Sequence, residues 1–223
     1  MKVDFDQYTK NYNELLHDGT KFFSPSEEYF ARYKVDVVRQ TIAKPVNRIL
    51  EYGCGIGRNI PALRHAFPGT EVVGTDISAA SLEIARTENP ESRFEVEAPN
   101  LHLGTFDLIF VAGVFHHIPP AERTAAIKTL SGRLADGGSL FVFEHNPYNP
   151  VTRRIVSNCP YDADAVLLKP VELRNLFSSA ELKVRASRYC LFIPPRFSSI
   201  AGIEKHIGWL PLGGQYWIYG EVK

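Results

Sequence analysis

Short apolar runs alternate with segments of helical period along most of the chain. Arg48–Tyr52, Glu71–Thr75 and Arg93–Val96 are brief, rich in branched and aromatic residues, and bounded by turn formers, which predicts strands. Between them Ile60, Leu63 and Phe67 recur at helical spacing until Pro68-Gly69 stops them. Ser78 is placed to cap a further helix, and Asn89-Pro90 to end it. Ahead of the first strand, Ser24-Pro25-Ser26-Glu27 reads as a capping box with proline at the first helical position. Phe30, Tyr33 and Val37 continue from it toward Ile42.

Phe106-Asp107-Leu108-Ile109-Phe110-Val111 is apolar at almost every position after its acid, as a central strand buried on both faces requires. A helix carrying Ile127, Leu130 and Leu134 is predicted to follow and to close at Gly137-Gly138, ahead of a second apolar strand, Leu140–Phe143. This alternation is the sequence expression of a parallel sheet with helices on both faces, and such a sheet binds ligands at its strands' C-terminal ends. The rhythm then breaks. A polar and aromatic connection runs from His145 to Leu168, with Arg153-Arg154 as a solvated helical face, before Pro170 opens a helix bearing Leu173, Leu176, Phe177 and Ala180. Leu182–Leu191 and Tyr216–Val222 are two closing strands, separated by Pro194-Pro195 and an amphipathic piece from Ile200 to Trp209. The expected organisation is one compact unit: a cap and helix over 1–47 and an α/β domain over 48–223, with lid-like insertions near 145–168 and 194–214.

Composition narrows the partners. With 223 residues and 44% hydrophobic content the chain can fill one α/β core. Lys plus Arg and Asp plus Glu each number 25, so no global positive field favours nucleic acid or an anionic membrane surface, which leaves a small molecule or a protein as the expected partner. Cys54, Cys159 and Cys190 are few, odd in number and far apart, which suits a reducing compartment. Met1–Lys10 is polar, and no apolar run approaches the roughly 20 residues that cross a bilayer. A cytoplasmic protein without membrane insertion is expected.

The chemistry concentrates at Glu51-Tyr52-Gly53-Cys54-Gly55-Ile56-Gly57-Arg58, where a strand ends on an acid and a glycine loop feeds a helix. Backbone amides there can meet a nucleotide-like ligand. A dinucleotide site needs its third glycine three residues after the second, where this chain has Arg58, and Glu51 would repel a pyrophosphate while attracting an ammonium or sulfonium. Asp76 ends the second strand 25 residues after Glu51, where a carboxylate can accept from both ribose hydroxyls.

The acid followed by Gly-Xaa-Gly-Xaa-Gly resembles the first motif of the class I S-adenosylmethionine-dependent methyltransferases. Val72–Ser78, Glu97-Ala98, Phe106–Ile109 with Phe115–Ile118, and Gly137–Leu140 follow in that family's order, and the likeness covers about residues 48 to 145. The resemblance implies a Rossmann-like, doubly wound, mostly parallel seven-stranded sheet with an antiparallel final strand. It also implies S-adenosyl-L-methionine as cofactor, S-adenosyl-L-homocysteine as its product, and Glu51, Gly53, Cys54, Gly55, Gly57, Asp76, Ile77, Glu97, Ala98, Ala112 and His117 as binding residues. A non-catalytic partner subunit that binds the same cofactor is the alternative; a nicotinamide-dependent oxidoreductase is disfavoured by Arg58 and Glu51.

Methyl transfer to a hydroxyl also releases a proton, and His117 or His145 at the sheet's C-terminal edge is the expected general base. The acceptor is expected to be a small molecule, methylated at oxygen. Tyr8, Tyr12, Tyr148, Tyr161, Phe192, Phe197, Trp209 and Trp217 lie outside the cofactor motifs and are divided between core and the roof of an acceptor pocket. No metal is expected, because no histidine or cysteine pair has the spacing of a structural zinc site.

Overall fold

The computed structural model describes Asp6, Phe23, Ser24 and residues 26–222. Tyr8, Tyr12 and Pro25 fall outside the described residues.

The sheet is built outward from its most apolar strands. Among the described residues the α-helices and strands follow in this order: α1 (Glu27–Thr41), β1 (Arg48–Tyr52), α2 (Ile60–Ala66), β2 (Glu71–Asp76), α3 (Ala79–Glu88), β3 (Arg93–Val96), β4 (Phe106–Ala112), α4 (Arg123–Gly132), β5 (Leu134–His145), α5 (Pro150–Asn158), α6 (Pro170–Ser179), β6 (Leu182–Cys190), α7 (Glu204–Ile207) and β7 (Gln215–Val222). Spatially the strands run β3-β2-β1-β4-β5-β7-β6. The first five are parallel, while β7 lies antiparallel between β5 and β6. The chain winds from β1 out to β3, then crosses back to lay β4 on the other side of β1. That reversal opens a crevice above the C-terminal ends of β1 and β4.

Alternate side chains of each strand feed two cores. Ile49, Leu108, Phe110, Phe141 and Phe143 pack under α1, α2 and α3 with Val38, Leu63 and Leu82. Leu50, Ile109, Val111, Leu140 and Val142 pack on the other face against Ile127, Leu130, Leu173 and Phe177 of α4 and α6. Asp107 anchors the central pair: its Oδ2 accepts from the N–H groups of Asn47 (2.8 Å) and Arg48 (3.0 Å), fixing where β1 begins beside β4.

Three local expectations need correction. Helix α1 starts at Glu27 with Ser26 at the N-cap, and the Ser24 hydroxyl forms a turn with Ser26 (3.2 Å from its N–H) instead of opening a capping box. Helix α4 ends at Gly132, and Leu134 pairs with Phe106 in β5. A position four residues after Leu130 fits a helical stripe, but Gly137 (φ +67°) and Gly138 form a sheet irregularity, where a Gly138 Cβ would stand 2.7 Å from the Ala135 carbonyl. Finally, the connection from His145 to Leu168 holds helix α5, whose first turn is capped by the Asn149 side chain accepting from Val151 and Thr152 with Pro150 at the first position.

No helix among the described residues is long and apolar enough to cross a membrane.

Candidate active site

Strand β1 delivers Glu51 to its buried end, and the chain turns sharply over the sheet's edge. The turn is held by the Thr75 carbonyl, which accepts from Gly53 (2.7 Å) and Cys54 (2.9 Å). Gly53 and Gly57 adopt φ of +71° and +82°, and side chains there would collide: a Gly53 Cβ would lie 2.4 Å from Val114 Cγ2, a Gly57 Cβ 2.9 Å from Asn89 Nδ2. Gly55 (φ +53°) has nothing within 4 Å of its Cβ position, leaving room for a ligand. Asp76 closes the loop from β2, with Oδ2 accepting from the Gly55 N–H (2.8 Å) and Oδ1 from that of Ser78 (2.9 Å). Burial raises its pKa, while these backbone donors pull it back down. Ser78 caps α3 and donates to the carboxylate of Asp6 (2.5 Å) at this end of the site.

Around this loop lies a cavity of about 470 Å³. Its walls include Tyr52, Gly53, Cys54, Gly55, Asn59, Asp76, Ile77, Glu97, Ala112, Val114, His117 and Tyr161. Glu51 sits behind it, 1% exposed, with Oε1 accepting from the Asn59 amide (2.6 Å) and Oε2 lacking a hydrogen-bond partner among the described residues. Burial pushes its pKa up to about 8, with Asn59 opposing.

A row of histidines borders the cavity. The His116 ring lies 4.1 Å from that of His117 and 4.9 Å from that of His145. His116 Nδ1 meets Glu144 Oε2 at 2.7 Å, while the other oxygen, Oε1, accepts from the backbone of Val114 (3.1 Å) and Phe115 (2.7 Å). The short turn Pro160–Asp162 brings Asp162 under both rings, at 3.5 Å from His116 Nε2 and 3.3 Å from His117 Nε2. Asp164 meets His117 Nδ1 at 3.3 Å, and Tyr161 stands edge-on to the same ring. Burial disfavours a charge on His116, but Glu144 and Asp162 outweigh it and raise its pKa to about 9. Glu144 and Asp162, also buried, are held below the usual carboxylate range, chiefly by His116 and, for Asp162, by His117 as well. Burial and the neighbouring His116 charge lower His145 to about 4, so its ring is a neutral acceptor at pH 7.

His145 faces a second cavity, of about 340 Å³, with Phe23, Phe30, Leu191 and Phe192 as apolar walls and Asn149 and Gln215 as polar ones. The insert before β7 forms part of its wall and is tied down at both ends. Glu204 Oε1 accepts from Phe192 (2.9 Å) and Ile193 (2.7 Å) and its Oε2 from Tyr33, while Asn146 Nδ2 donates to the carbonyls of Pro211 (3.1 Å) and Gly213 (2.7 Å).

Residues 50–140 match a family model described as "Methyltransferase domain". A trans-aconitate 2-methyltransferase from Variovorax paradoxus is 32% identical over 51% of this chain and 46% of its own length. A ubiquinone biosynthesis O-methyltransferase from Xanthomonas campestris is 25% identical over 73% of this chain and 74% of its own. The chain thus spans just under half of the first relative and about three quarters of the second. Among solved structures, the Synechocystis magnesium protoporphyrin IX methyltransferase with bound S-adenosylmethionine superposes with a TM-score of 0.66 at 14% identity, over 99% of this chain and 98% of the other. A possible histamine N-methyltransferase from Thermotoga maritima gives 0.68 at 18%, over 98% of both. At these identities the superpositions speak for the fold.

The family model matches less than half of the chain, at residues 50–140, and the fold is one shared with S-adenosylmethionine-dependent methyltransferases. The site has three features that suit S-adenosylmethionine: the open side of Gly55, the carboxylate of Asp76, and the Oε2 of Glu51, partnerless among the described residues and a complement to that molecule's ammonium.

Of the residues expected from the sequence, Gly53, Cys54, Gly55, Asp76, Ile77, Glu97, Ala112 and His117 line the cavity. Glu51 and Gly57 support it from behind, through Asn59 and the packing on Asn89 and Ala85. Ala98 is exposed and off the wall, with Pro99 there in its place. Glu97 is largely engaged, pairing both oxygens with Arg133 (2.6 and 2.9 Å). His145 opens on the second cavity. Tyr161 joins the cofactor cavity and Phe192 the second one, Trp217 is core, and Tyr148, Phe197 and Trp209 are exposed. Asn59 was missed although its place in the first turn after the glycine loop signals it; Val114 and Tyr161 carry no local signal.

Proposed function

We propose that this chain is an S-adenosylmethionine-dependent methyltransferase that transfers a methyl group to an oxygen of a small, largely apolar acceptor seated in the His145 cavity. What carries the reading is the nearness of the two cavities: His117 lines one, His145 the other, and the buried His116 ring between them lies 4.1 Å from the first ring and 4.9 Å from the second. In this proposal Gly53, Cys54, Gly55, Asp76, Ile77, Ala112 and His117 hold the cofactor, with Glu51 and Gly57 behind them and Glu97 at the adenine end. Bound there, the cofactor would supply an electrophilic methyl carbon, with its sulfur as the leaving group, and an acceptor hydroxyl would have to give up its proton to the chain or to solvent.

The chain's own part is positioning and proton removal. The phenyl walls of Phe23, Phe30 and Phe192 exclude water from the acceptor. Gln215 and Asn149 are among the polar side chains of the same wall. His145, neutral at pH 7, takes the hydroxyl proton. Oxygen is favoured over nitrogen by the name of the ubiquinone-biosynthesis relative.

Titration calorimetry with S-adenosylmethionine, S-adenosylhomocysteine and NAD tests the first half: binding of the first two and silence to NAD are expected. Tracing labelled methyl into cell extract, with trans-aconitate as one trial compound, identifies the acceptor. With it in hand, His145→Gln is expected to lower kcat by about 100-fold with cofactor affinity kept. Unchanged turnover in both His145→Gln and His117→Gln sinks the base assignment.

A further inference from the structure

The histidine row offers more than a proton acceptor. His116 and His117 turn their Nε2 atoms toward one oxygen, Asp162 Oδ1, at 3.5 and 3.3 Å. Each of the three residues presents a ligand atom within 4.8 Å of the other two. A tetrahedral ion with bonds of about 2.0–2.1 Å to nitrogen and oxygen has ligand-to-ligand edges of about 3.3 Å. Two edges therefore already have the right length, and small ring rotations close the third.

The outer contacts have the same logic. Metal-bound imidazoles hand their second nitrogen to a carboxylate, which fixes the tautomer and aims the ring. Both rings here do so: His116 Nδ1 to Glu144 Oε2 at 2.7 Å, and His117 Nδ1 to Asp164 Oδ1 at 3.3 Å. Glu144 is itself held by two backbone N–H groups, at 3.1 and 2.7 Å. Side-chain exposure is only 2% at His116, 10% at His117 and 8% at Asp162, so a cation there would be shielded from bulk water. Chain spacing hides this set, because Asp162 follows His117 by 45 residues.

We propose that His116 Nε2, His117 Nε2 and Asp162 Oδ1 form a site for one divalent first-row transition metal ion of the zinc class, with Glu144 and Asp164 orienting the two rings. The N₂O donor set suits zinc or cobalt and is too poor in oxygen for calcium or magnesium. His117 and Tyr161 line the cofactor cavity, so the ion would pin the Pro160–Asp164 turn to the cavity wall. Three protein ligands leave a coordination position for water or an acceptor oxygen.

Untagged full-length protein, stripped by chelator, is dialysed against Zn²⁺ or Co²⁺ and its metal content measured, with the Co²⁺ visible spectrum as a reading of geometry. Wild type is expected to take up about one equivalent and to show the intense visible bands of a four- or five-coordinate ion. Asp162→Asn and His117→Ala are expected to lose that uptake, and Asp164→Asn to weaken it by about tenfold or more. Retained S-adenosylhomocysteine binding in Asp162→Asn shows that this variant is folded. Absence of stoichiometric uptake by wild type, or equal uptake by folded Asp162→Asn, overturns the site and leaves a buried ion-pair network.

Discussion

Cofactor binding should expel a proton from Glu51. The carboxyl is fully buried, with one oxygen accepting from Asn59 at 2.6 Å and the other lacking a partner among the described residues, and its pKa stands at about 8 instead of 4.5. At pH 7 such a group is about 90% protonated in the ligand-free protein. An ammonium brought near it favours the carboxylate, so binding should release about 0.9 proton at pH 7, about half a proton at pH 8 and almost none at pH 9. Calorimetry of S-adenosylhomocysteine in buffers of different ionisation enthalpy reads this number directly, and Glu51→Gln should remove it. The same proton shapes stability. The native state keeps it while the unfolded chain releases it near pH 4.5, so raising the pH from about 4.5 to about 8 should destabilise the ligand-free protein, by at most about 1.4 kcal/mol per pH unit. Glu51→Gln should flatten that slope. Equal proton release by wild type and Glu51→Gln would refute the placing of the cofactor's ammonium beside this residue.

Two further outcomes follow from the loop. Gly53→Ala forces a Cβ to 2.4 Å from Val114 at φ +71°, so urea unfolding should show a loss of about 2–5 kcal/mol from left-handed strain and overpacking together. Val114→Ala in the same chain should recover about 1–3 kcal/mol of it, the clash but not the strain; strictly additive losses mean that the two residues do not collide. Asp76→Ala removes the acceptor of the Gly55 and Ser78 N–H groups as well as the proposed ribose partner, and should weaken S-adenosylhomocysteine by about 100-fold or more. A change below about threefold would remove Asp76 from the site.

What local sequence carries, it carried well. The order of strands and helices from Arg48 to Ala112 is set by side-chain period and by turn residues, both properties of neighbours in the chain. The glycine loop and Asp76 were legible for the same reason: positive φ and a strand-end acid are local requirements. Leu134 was misplaced because its spacing from Leu130 suits a helix as well as it suits a return to the sheet, and only pairing with Phe106 decides. Ala98 fell off the cavity wall although its neighbours Glu97 and Pro99 both line it, because which side chain of a turn faces a cavity is decided by the fold around it.

The rest belongs to tertiary structure. Glu51 is an ordinary acid in sequence; complete burial gives it a proton at neutral pH. Asp162 and Asp164 lie in a connection without period, and they gain meaning when α5 and the following turn fold them beneath His116 and His117. By itself the sequence determined the sheet and the glycine loop, because backbone conformation and apolar period are written in adjacent residues. Only the tertiary structure decided which titratable groups share a buried space, because desolvation and Coulomb coupling depend on distance through the fold, not along the chain.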